Sequence, residues 1–203
     1  MAIRAIVFDI GGVLEITPRL GIDEKWEAIW HLQPGELNKK LYDVWKGGSI
    51  GTITEAEVYK KIGEIMGLDE AEVNAFMDDT WREYLGTLNV ELLDYFRSLH
   101  GRFKTGILSN SFVGAREREQ ALYHFDEMTD VIVYSHEVGM QKPNPEIYKL
   151  TWEKLDIQPH EMIFLDDRDA AIDPANALGI HGIVFKDNAQ TIADIEACIK
   201  ANA

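Results

Sequence analysis

Asp9 is the residue of this sequence that is best placed to do chemistry. It follows the largely apolar run of residues 3–8 and is separated by one residue from the glycine pair Gly11 and Gly12. A short run rich in β-branched residues and cut off by paired glycines is typical of a buried strand that ends in a turn. Ligands bind at the carboxyl ends of the strands in open α/β sheets. The pattern therefore predicts that the Asp9 carboxylate lies in a binding site.

Two further apolar runs end in polar residues in the same way. The polar pairs that follow them are Ser109 with Asn110 and Asp166 with Asp167. Because the carboxyl ends of parallel strands meet at one edge of a sheet, we expect both pairs to converge on Asp9. Taken singly, each of these residues could be an ordinary turn or helix cap. Their common position at three strand ends favours a functional site.

The composition limits the kinds of partner that the protein can have. The chain has 203 residues, of which 46% are hydrophobic and 27% are charged, as is usual for a globular protein with one sizeable core. Its formal net charge of -15 provides no basic stripe for the phosphate contacts that dominate nucleic-acid affinity. We therefore expect no nucleic-acid partner. A small phosphorylated metabolite can still be held by a metal ion and one lysine.

Cysteine usage and hydropathy indicate the compartment. The single cysteine, Cys198, excludes an internal disulfide and a Cys-rich zinc site, so a reducing environment is expected. No apolar stretch approaches the length of a membrane-spanning helix, and Asp9 comes too early for a signal peptide. The sequence thus predicts a cytoplasmic protein with no membrane partner.

Helix and strand patterns alternate from Asn89 to the end of the chain. Asn89 can cap a helix in which Leu92 and Phe96 share an apolar face. Further strands are predicted at residues 104–108, 131–134, 162–165 and 182–185, with helical patterns between them. This alternation predicts an α/β fold with a doubly wound parallel sheet. Residues 1–16 and 87–203 are expected to form this core domain.

Residues 17–86 follow a helical pattern throughout. Thr54 and Glu57 have the spacing of a capping box, and Val58 begins a 3.6-residue apolar period behind them. Four of the five tryptophans lie in this stretch, and Trp26 and Trp30 stand one helical turn apart. We predict an all-helical domain inserted after the first strand. Its tryptophans could line a substrate pocket, but packing within a small bundle is the more common use of such residues.

Four motifs identify the chain as a member of the haloacid dehalogenase (HAD) superfamily. They occur in the family's order and spacing, and the helical insertion has the position and type of the family's mobile cap. The C-terminal half of the chain is similar to the phosphatase domain of bifunctional epoxide hydrolases and to bacterial sugar-phosphate phosphatases. The matching segments are residues 7–14, 107–111, 138–143 and 164–167.

The resemblance implies a reaction and a role for each site residue. Asp9 would be the nucleophile that forms an aspartyl-phosphate, because a carboxylate is a competent nucleophile toward a phosphoryl group. Lys142 would supply a fixed positive charge, while Ser109 and Asn110 would donate hydrogen bonds to the phosphoryl oxygens. The substrate class that follows is a small phosphorylated metabolite.

The resemblance also implies a magnesium ion as cofactor. Its expected ligands are the carboxylates of Asp9 and Asp167 and the backbone carbonyl of Gly11, with Asp166 beside them. Hard oxygen donors of this kind suit the octahedral coordination of Mg²⁺.

Two positions depart from the family pattern. Gly11 stands where such phosphatases usually have a second aspartate, which acts as acid for the leaving group and as base for water. Its absence should weaken or narrow the activity, since acid-base assistance contributes about 10²–10⁴ in rate. Ala171 stands where an asparagine is common. Asp169 could take over its role around the metal, or the metal could bind weakly.

Three functions therefore remain to be weighed. We favour a magnesium-dependent phosphatase. A 2-haloacid dehalogenase would use the same aspartate without metal, but the acidic pair Asp166 and Asp167 argues against it. A catalytically silent HAD-fold binding protein is the third possibility, favoured by Gly11 and Ala171.

Overall fold

The computed structural model describes residues 2–203, which form one parallel sheet and one small antiparallel pair. The strands are Ala5–Phe8 (β1), Glu15–Ile16 (β2), Thr87–Leu88 (β3), Lys104–Ser109 (β4), Val131–Tyr134 (β5), Met162–Asp166 (β6) and His181–Val184 (β7). The parallel sheet has the order β5-β4-β1-β6-β7, which places β1 at its centre. β2 and β3 pair with each other in antiparallel orientation.

Ten α-helices occupy the described residues. They are Ile22–Ile29 (α1), Glu36–Ser49 (α2), Glu55–Met66 (α3), Glu70–Leu85 (α4), Val90–Leu99 (α5), Ala115–Tyr123 (α6), Ser135–Val138 (α7), Pro145–Lys154 (α8), Asp169–Ala177 (α9) and Asn188–Ala201 (α10). Short 3₁₀ turns follow at Phe125–Met128 and Pro159–Glu161.

Both faces of the parallel sheet are covered, because side chains of β1 alternate between two apolar cores. Ile6 and Phe8 pack on one side with Phe96 of α5, while Val7 packs on the other side with Tyr148 of α8. All of these side chains are buried. The predicted doubly wound α/β fold is confirmed. The last strand begins at His181, one residue earlier than the pattern indicated.

The four helices between β2 and β3 form a third apolar cluster. α3 begins at the predicted capping box, in which the Thr54 side chain accepts a hydrogen bond from the backbone of Glu57 and the Glu57 side chain accepts one from the backbone of Thr54. Trp26 and Trp30 pack on Phe76, with ring centroids 5.6 and 5.1 Å away. Trp26 also donates a hydrogen bond from its ring nitrogen Nε1 to Asp79 of α4 at 3.0 Å, so aromatic packing and a polar contact together join these helices.

The antiparallel pair of β2 and β3 connects this helical insertion to the sheet domain. Glu15 pairs with Leu88, and Ile16 pairs with Thr87. The chain therefore enters and leaves the insertion at neighbouring points. Within residues 2–203, the structure contains no helix that is both long and apolar enough to cross a membrane.

Candidate active site

Three carboxylates converge at the carboxyl end of the central strands. Asp9 directly follows β1, Asp166 ends β6, and Asp167 comes next in the chain. One oxygen of each carboxylate lies within 4.8 Å of those of the other two. The parallel pairing of Phe8 with Leu165 sets this convergence, because it aligns the ends of the two strands. Sequence reasoning placed these residues together, and the structure does so.

Lys142 joins two of these carboxylates. Its ammonium nitrogen Nζ lies 2.9 Å from Asp9 Oδ1 and 2.6 Å from Asp166 Oδ2, and all three side chains are buried. The second oxygen of Asp166 accepts a hydrogen bond from the backbone N–H of Arg168. Burying charged groups is costly unless they are paired, and this arrangement pairs them. Asp166 is therefore held rigidly, whereas Asp167 remains more exposed.

Asn110 orients Lys142 from the neighbouring strand end. Its side-chain Nδ2 donates to the Lys142 carbonyl oxygen at 3.0 Å, and its Oδ1 accepts from the Lys142 backbone N–H at 2.8 Å. Asn110 lines the same cavity as the three carboxylates. Ser109, the last residue of β4, is buried and does not line that cavity among the described residues. The predicted hydrogen bonds of Ser109 and Asn110 to a phosphoryl group remain predictions.

The buried site shifts the pKa values of its carboxyl groups. Burial raises the pKa of Asp9 to about 7, and the nearby Asp166 adds to this shift, while Lys142 opposes it. Burial and the Asp166 charge also raise the pKa of Asp167. Both shifts come mainly from burial, which penalises the charged form of each carboxyl group, and secondly from the neighbouring Asp166 charge. The site is thus suited to receive a further cation.

The two glycines after Asp9 differ in whether the structure requires glycine at that position. Gly12 has a φ of +76°, and a β-carbon there would lie 2.5 Å from Asp167 Oδ2, so only glycine fits. Gly11 has no such φ. A β-carbon at Gly11 would lie at an ordinary 3.9 Å from Glu15 Oε2 and Thr17 Oγ1. Steric strain therefore does not explain the absence of an aspartate at position 11.

Sequence reasoning missed Glu15 and Thr17. The Thr17 hydroxyl donates a hydrogen bond to Glu15 Oε2 at 2.8 Å, while Glu15 Oε1 is buried without a hydrogen-bond partner among the described residues. Burial raises the pKa of Glu15 to about 8. The available signal was a carboxylate directly after the apolar pair Val13 and Leu14, because burying a charge next to apolar residues is costly unless it is paired.

Two cavities meet at Thr17. The first, of about 360 Å³, is the polar cavity, lined by Asp9, Gly11, Gly12, Thr17, Asn110, Lys142, Pro143, Asp166, Asp167, Arg168, Ala170 and Ala171. The second, of about 420 Å³, is the apolar cavity, lined by Thr17, Ile22, Asp23, Asn38, Trp45, Ser49, Phe76, Met77, Thr80, Trp81, Glu83, Tyr84, Ser111 and Phe112. Two of the four tryptophans of the insertion, Trp45 and Trp81, thus line a cavity, while Trp26 and Trp30 only pack in the bundle.

The carboxylate group fits a hard divalent cation. Three carboxylate oxygens within 4.8 Å of one another are the donor type that Mg²⁺ prefers. Asp169 is exposed and does not line the polar cavity within the described chain, so the structure does not support the expected substitution of Asp169 for the missing asparagine. Ala171 does line the cavity, and its carbonyl oxygen accepts a hydrogen bond from Tyr148.

Comparison with known proteins gives relatives along most of the chain. "Bifunctional epoxide hydrolase 2" of Sus scrofa is 28% identical over 97% of this chain, which spans only 39% of that relative's length. "D-ribitol-5-phosphate phosphatase" of Bacteroides thetaiotaomicron is 27% identical, with 87% of this chain and 89% of the relative covered.

Comparison with solved structures gives the same family of proteins. The crystal structure of a HAD family enzyme from Bacteroides thetaiotaomicron, in complex with magnesium and inorganic phosphate, superposes with a TM-score of 0.78. It is 25% identical, and 94% of this chain and 98% of the other are covered. The family model of haloacid dehalogenase-like hydrolases matches residues 3–179. The chain therefore belongs to the haloacid dehalogenase-like hydrolases, as its four motifs predicted.

Proposed function

We propose that this protein is a magnesium-dependent phosphoric monoester hydrolase that acts on a small phosphorylated metabolite. The observation that carries the proposal is the buried Lys142 between Asp9 and Asp166, with the more exposed Asp167 beside them. This arrangement offers a nucleophile, a fixed positive charge and a set of cation ligands in one cavity. Relatives named as phosphatases support the same chemistry.

Asp9 is the nucleophile in the proposed reaction. Its Oδ1 contacts Lys142, which leaves Oδ2 to attack phosphorus. The bond from Oδ2 to phosphorus forms as the bond from phosphorus to the ester oxygen breaks, and the released alcohol takes up a proton. Water then hydrolyses the aspartyl-phosphate, which restores the Asp9 carboxylate and releases inorganic phosphate.

Lys142 and the proposed metal site divide the task of neutralising charge. Lys142 is held by two carboxylates and by Asn110, so its ammonium group stays fixed beside the transferring phosphoryl group. Asp9, Asp167 and the Gly11 carbonyl would hold Mg²⁺, which supplies positive charge for the phosphoryl oxygens when bound.

Because position 11 is a glycine, the rate of hydrolysis should depend strongly on the leaving group. Without a carboxyl at this position, the alcohol oxygen must be protonated by water or by another group. Monoesters with good leaving groups, such as aryl phosphates and glycosyl 1-phosphates, should therefore be hydrolysed faster than unactivated alkyl phosphates of comparable binding, and so should acyl phosphates, which are mixed anhydrides.

The helical insertion would act as a cap over this site. Two hydrogen bonds join α2 to the sheet domain, from the Ser135 hydroxyl to the Ser49 carbonyl at 2.7 Å and from the Val113 N–H to the Gly48 carbonyl at 3.1 Å. The chain tethers lie at β2 and β3. Opening would also break the Glu55–Arg118 ion pair and the packing of Trp45 and Trp81 on Phe112, and closure would exclude water.

The decisive experiment is a panel of phosphorylated metabolites with Mg²⁺, run on wild type and on Asp9→Asn. We expect phosphate release to fall to background in this variant, because an amide has the same shape but cannot attack phosphorus. Asp169→Asn, which makes the same change outside the cavity, should retain wild-type activity. Halide release from a 2-haloacid is measured in parallel. Retained phosphate release in Asp9→Asn would remove the nucleophile assignment.

A further inference from the structure

The apolar cavity continues from the proposed phosphoryl site into the helical insertion. Thr17 lines both cavities, and Asn110 of the polar cavity is followed directly by Ser111 and Phe112 of the apolar one. A phosphate monoester bound at Asp9 would therefore extend its alcohol part past Thr17 between the insertion and the sheet domain. The volume of about 420 Å³ lies in the usual range for small-molecule sites.

We propose that the apolar cavity binds the alcohol part of the substrate, and that this alcohol is predominantly apolar and carries no negative charge. The inference rests on the proposed phosphatase function and adds the substrate class to it. Half of the lining residues are apolar or aromatic, namely Ile22, Trp45, Phe76, Met77, Trp81, Tyr84 and Phe112. The affinity of such a cavity for an alcohol increases with each apolar group of the alcohol that it removes from water.

The polar half of the lining is already hydrogen-bonded within the protein. Ser49 donates to the Trp45 carbonyl at 2.6 Å, and Thr80 donates to the Phe76 carbonyl at 2.9 Å. Ser111 is paired with the His136 ring at 2.6 Å. A polyol would therefore give up hydrogen bonds to water and find free acceptors mainly at the carboxylates of Asp23 and Glu83. An apolar alcohol avoids this cost.

The two carboxylates in the lining oppose a second negative charge. Asp23 accepts a hydrogen bond from Asn38 at 2.6 Å, and Glu83 accepts one from the Leu20 N–H at 2.8 Å, so both are oriented by neutral donors. No lysine or arginine lies in the lining of this cavity within the described part of the chain. Bisphosphates and nucleotides would be repelled, which limits the substrate to one phosphate group.

The test compares two monoesters of primary alcohols, octyl phosphate below its micelle concentration and glycerol 3-phosphate, with Mg²⁺. Because neither leaving group is activated, the contrast reports the body of the alcohol. We expect kcat/KM to be at least about 10-fold higher for octyl phosphate, from the burial of several CH₂ groups. Equal or lower values for octyl phosphate would overturn the proposal.

Substitutions in the lining of the apolar cavity test whether the preference for octyl phosphate arises there. Trp45→Ala should lower kcat/KM for octyl phosphate by about 10-fold through lost apolar contact, and should lower that for glycerol 3-phosphate by a smaller factor. Tyr42→Ala, on the same helix but 61% exposed, is the matched control and should change neither. If Trp45→Ala fails to fold, Thr80→Asn adds an amide to the cavity and should reduce the preference for octyl phosphate several-fold. An unchanged preference in the folded variants would contradict the proposal.

A binding measurement separates failure of the subsite from failure of the reaction. Octyl phosphate is titrated into Asp9→Asn while tryptophan fluorescence is recorded, since Trp45 and Trp81 line the cavity. Saturable binding that Thr80→Asn weakens supports the subsite even if neither ester releases phosphate, a result that would refute only the phosphatase function. Absence of saturable binding overturns the subsite itself.

Discussion

The polar and apolar cavities meet at one residue, Thr17, but they are built in opposite ways. At the polar cavity, strand ends and short hydrogen bonds fix Asp9, Asp166 and Lys142, and Lys142 lies within 3 Å of two carboxylates. At the apolar cavity, side chains of separate helices pack through aromatic contacts such as that between Trp45 and Phe76, whose ring centroids are 6.1 Å apart.

This difference indicates that the two cavities tolerate substitutions differently. A change of register or charge at the polar cavity would leave a buried charge unpaired, which is strongly destabilising. A change of side-chain size in the apolar cavity weakens packing but leaves no buried charge unpaired. In the proposed function, the sheet would therefore carry the reaction, while the insertion would determine which substrate is bound.

The largest expected effect comes from restoring the carboxyl that the polar cavity lacks. Gly11→Asp should speed hydrolysis of alkyl phosphates more than that of aryl phosphates, by up to about 10²–10⁴. The β-carbon has room there, at 3.9 Å from its nearest neighbours. Gly11→Ala is the matched control, since it adds the β-carbon without the acid. If a folded Gly11→Asp gained nothing on alkyl phosphates, another group would already be supplying the proton.

Truncating Phe76 tests whether the insertion can be weakened without disturbing the polar cavity. This ring is 1% exposed and contacts Trp26, Trp30 and Trp45, so Phe76→Ala should cost about 3–5 kcal/mol of stability. The measurement is urea unfolding, followed by a Mg²⁺ titration of the native variant. We expect an unchanged metal affinity. A parallel loss of metal affinity would show that the two cavities are coupled.

Glu119 of α6 is buried and lines neither cavity in the described chain, and it provides a pH test of stability. It accepts a hydrogen bond from Tyr134 at 2.5 Å, and burial raises its pKa from 4.5 to about 7. The native state therefore holds this proton more tightly than the unfolded state does. The resulting stability is present in full below pH 4.5 and is lost as the pH rises through 7.

Glu119→Gln should remove this pH dependence. Relative to the variant, wild type should lose up to about 3 kcal/mol of unfolding free energy between pH 5 and pH 8, at about 1.4 kcal/mol per pKa unit. Urea unfolding at three pH values measures it. A constant difference between the two proteins across this range would mean that Glu119 is ionised in the native state at pH 5.

The smallest expected effect concerns the metal. Asp167→Ala should raise the Mg²⁺ concentration needed for half-maximal activity by at least about 10-fold, because the most exposed of the three carboxylates is lost. Asp169→Ala, which removes a carboxylate outside the cavity, is its control. An identical metal titration for wild type and Asp167→Ala would place the cation elsewhere.

Local patterns were sufficient for the elements that carry the reaction. The run before Asp9, the strand that ends at Asp166 and the helix capped by Asn89 all follow from period and capping, and the structure has them. Parallel pairing then brings the strand ends together without further information, because every strand of such a sheet points the same way. Asp9, Asp166 and Asp167 were therefore predictable as a group.

The two roles of the tryptophans were not predictable in this way. Trp26 and Trp45 both lie on amphipathic helices, yet one is buried in the bundle and the other lines a cavity. Helical period gives the face on which a residue lies but not what covers that face. The same applies to Asn110, whose hydrogen bonds run to a residue 32 positions away.

The sequence by itself determined the α/β order, the helical insertion and the carboxylates at the strand ends, because these depend on residues close together in the chain. Only the tertiary structure decided that Lys142 lies between Asp9 and Asp166, that Glu15 is buried beside Thr17, and that an apolar cavity opens next to them. These features depend on how separate helices and strands pack, which local patterns do not specify.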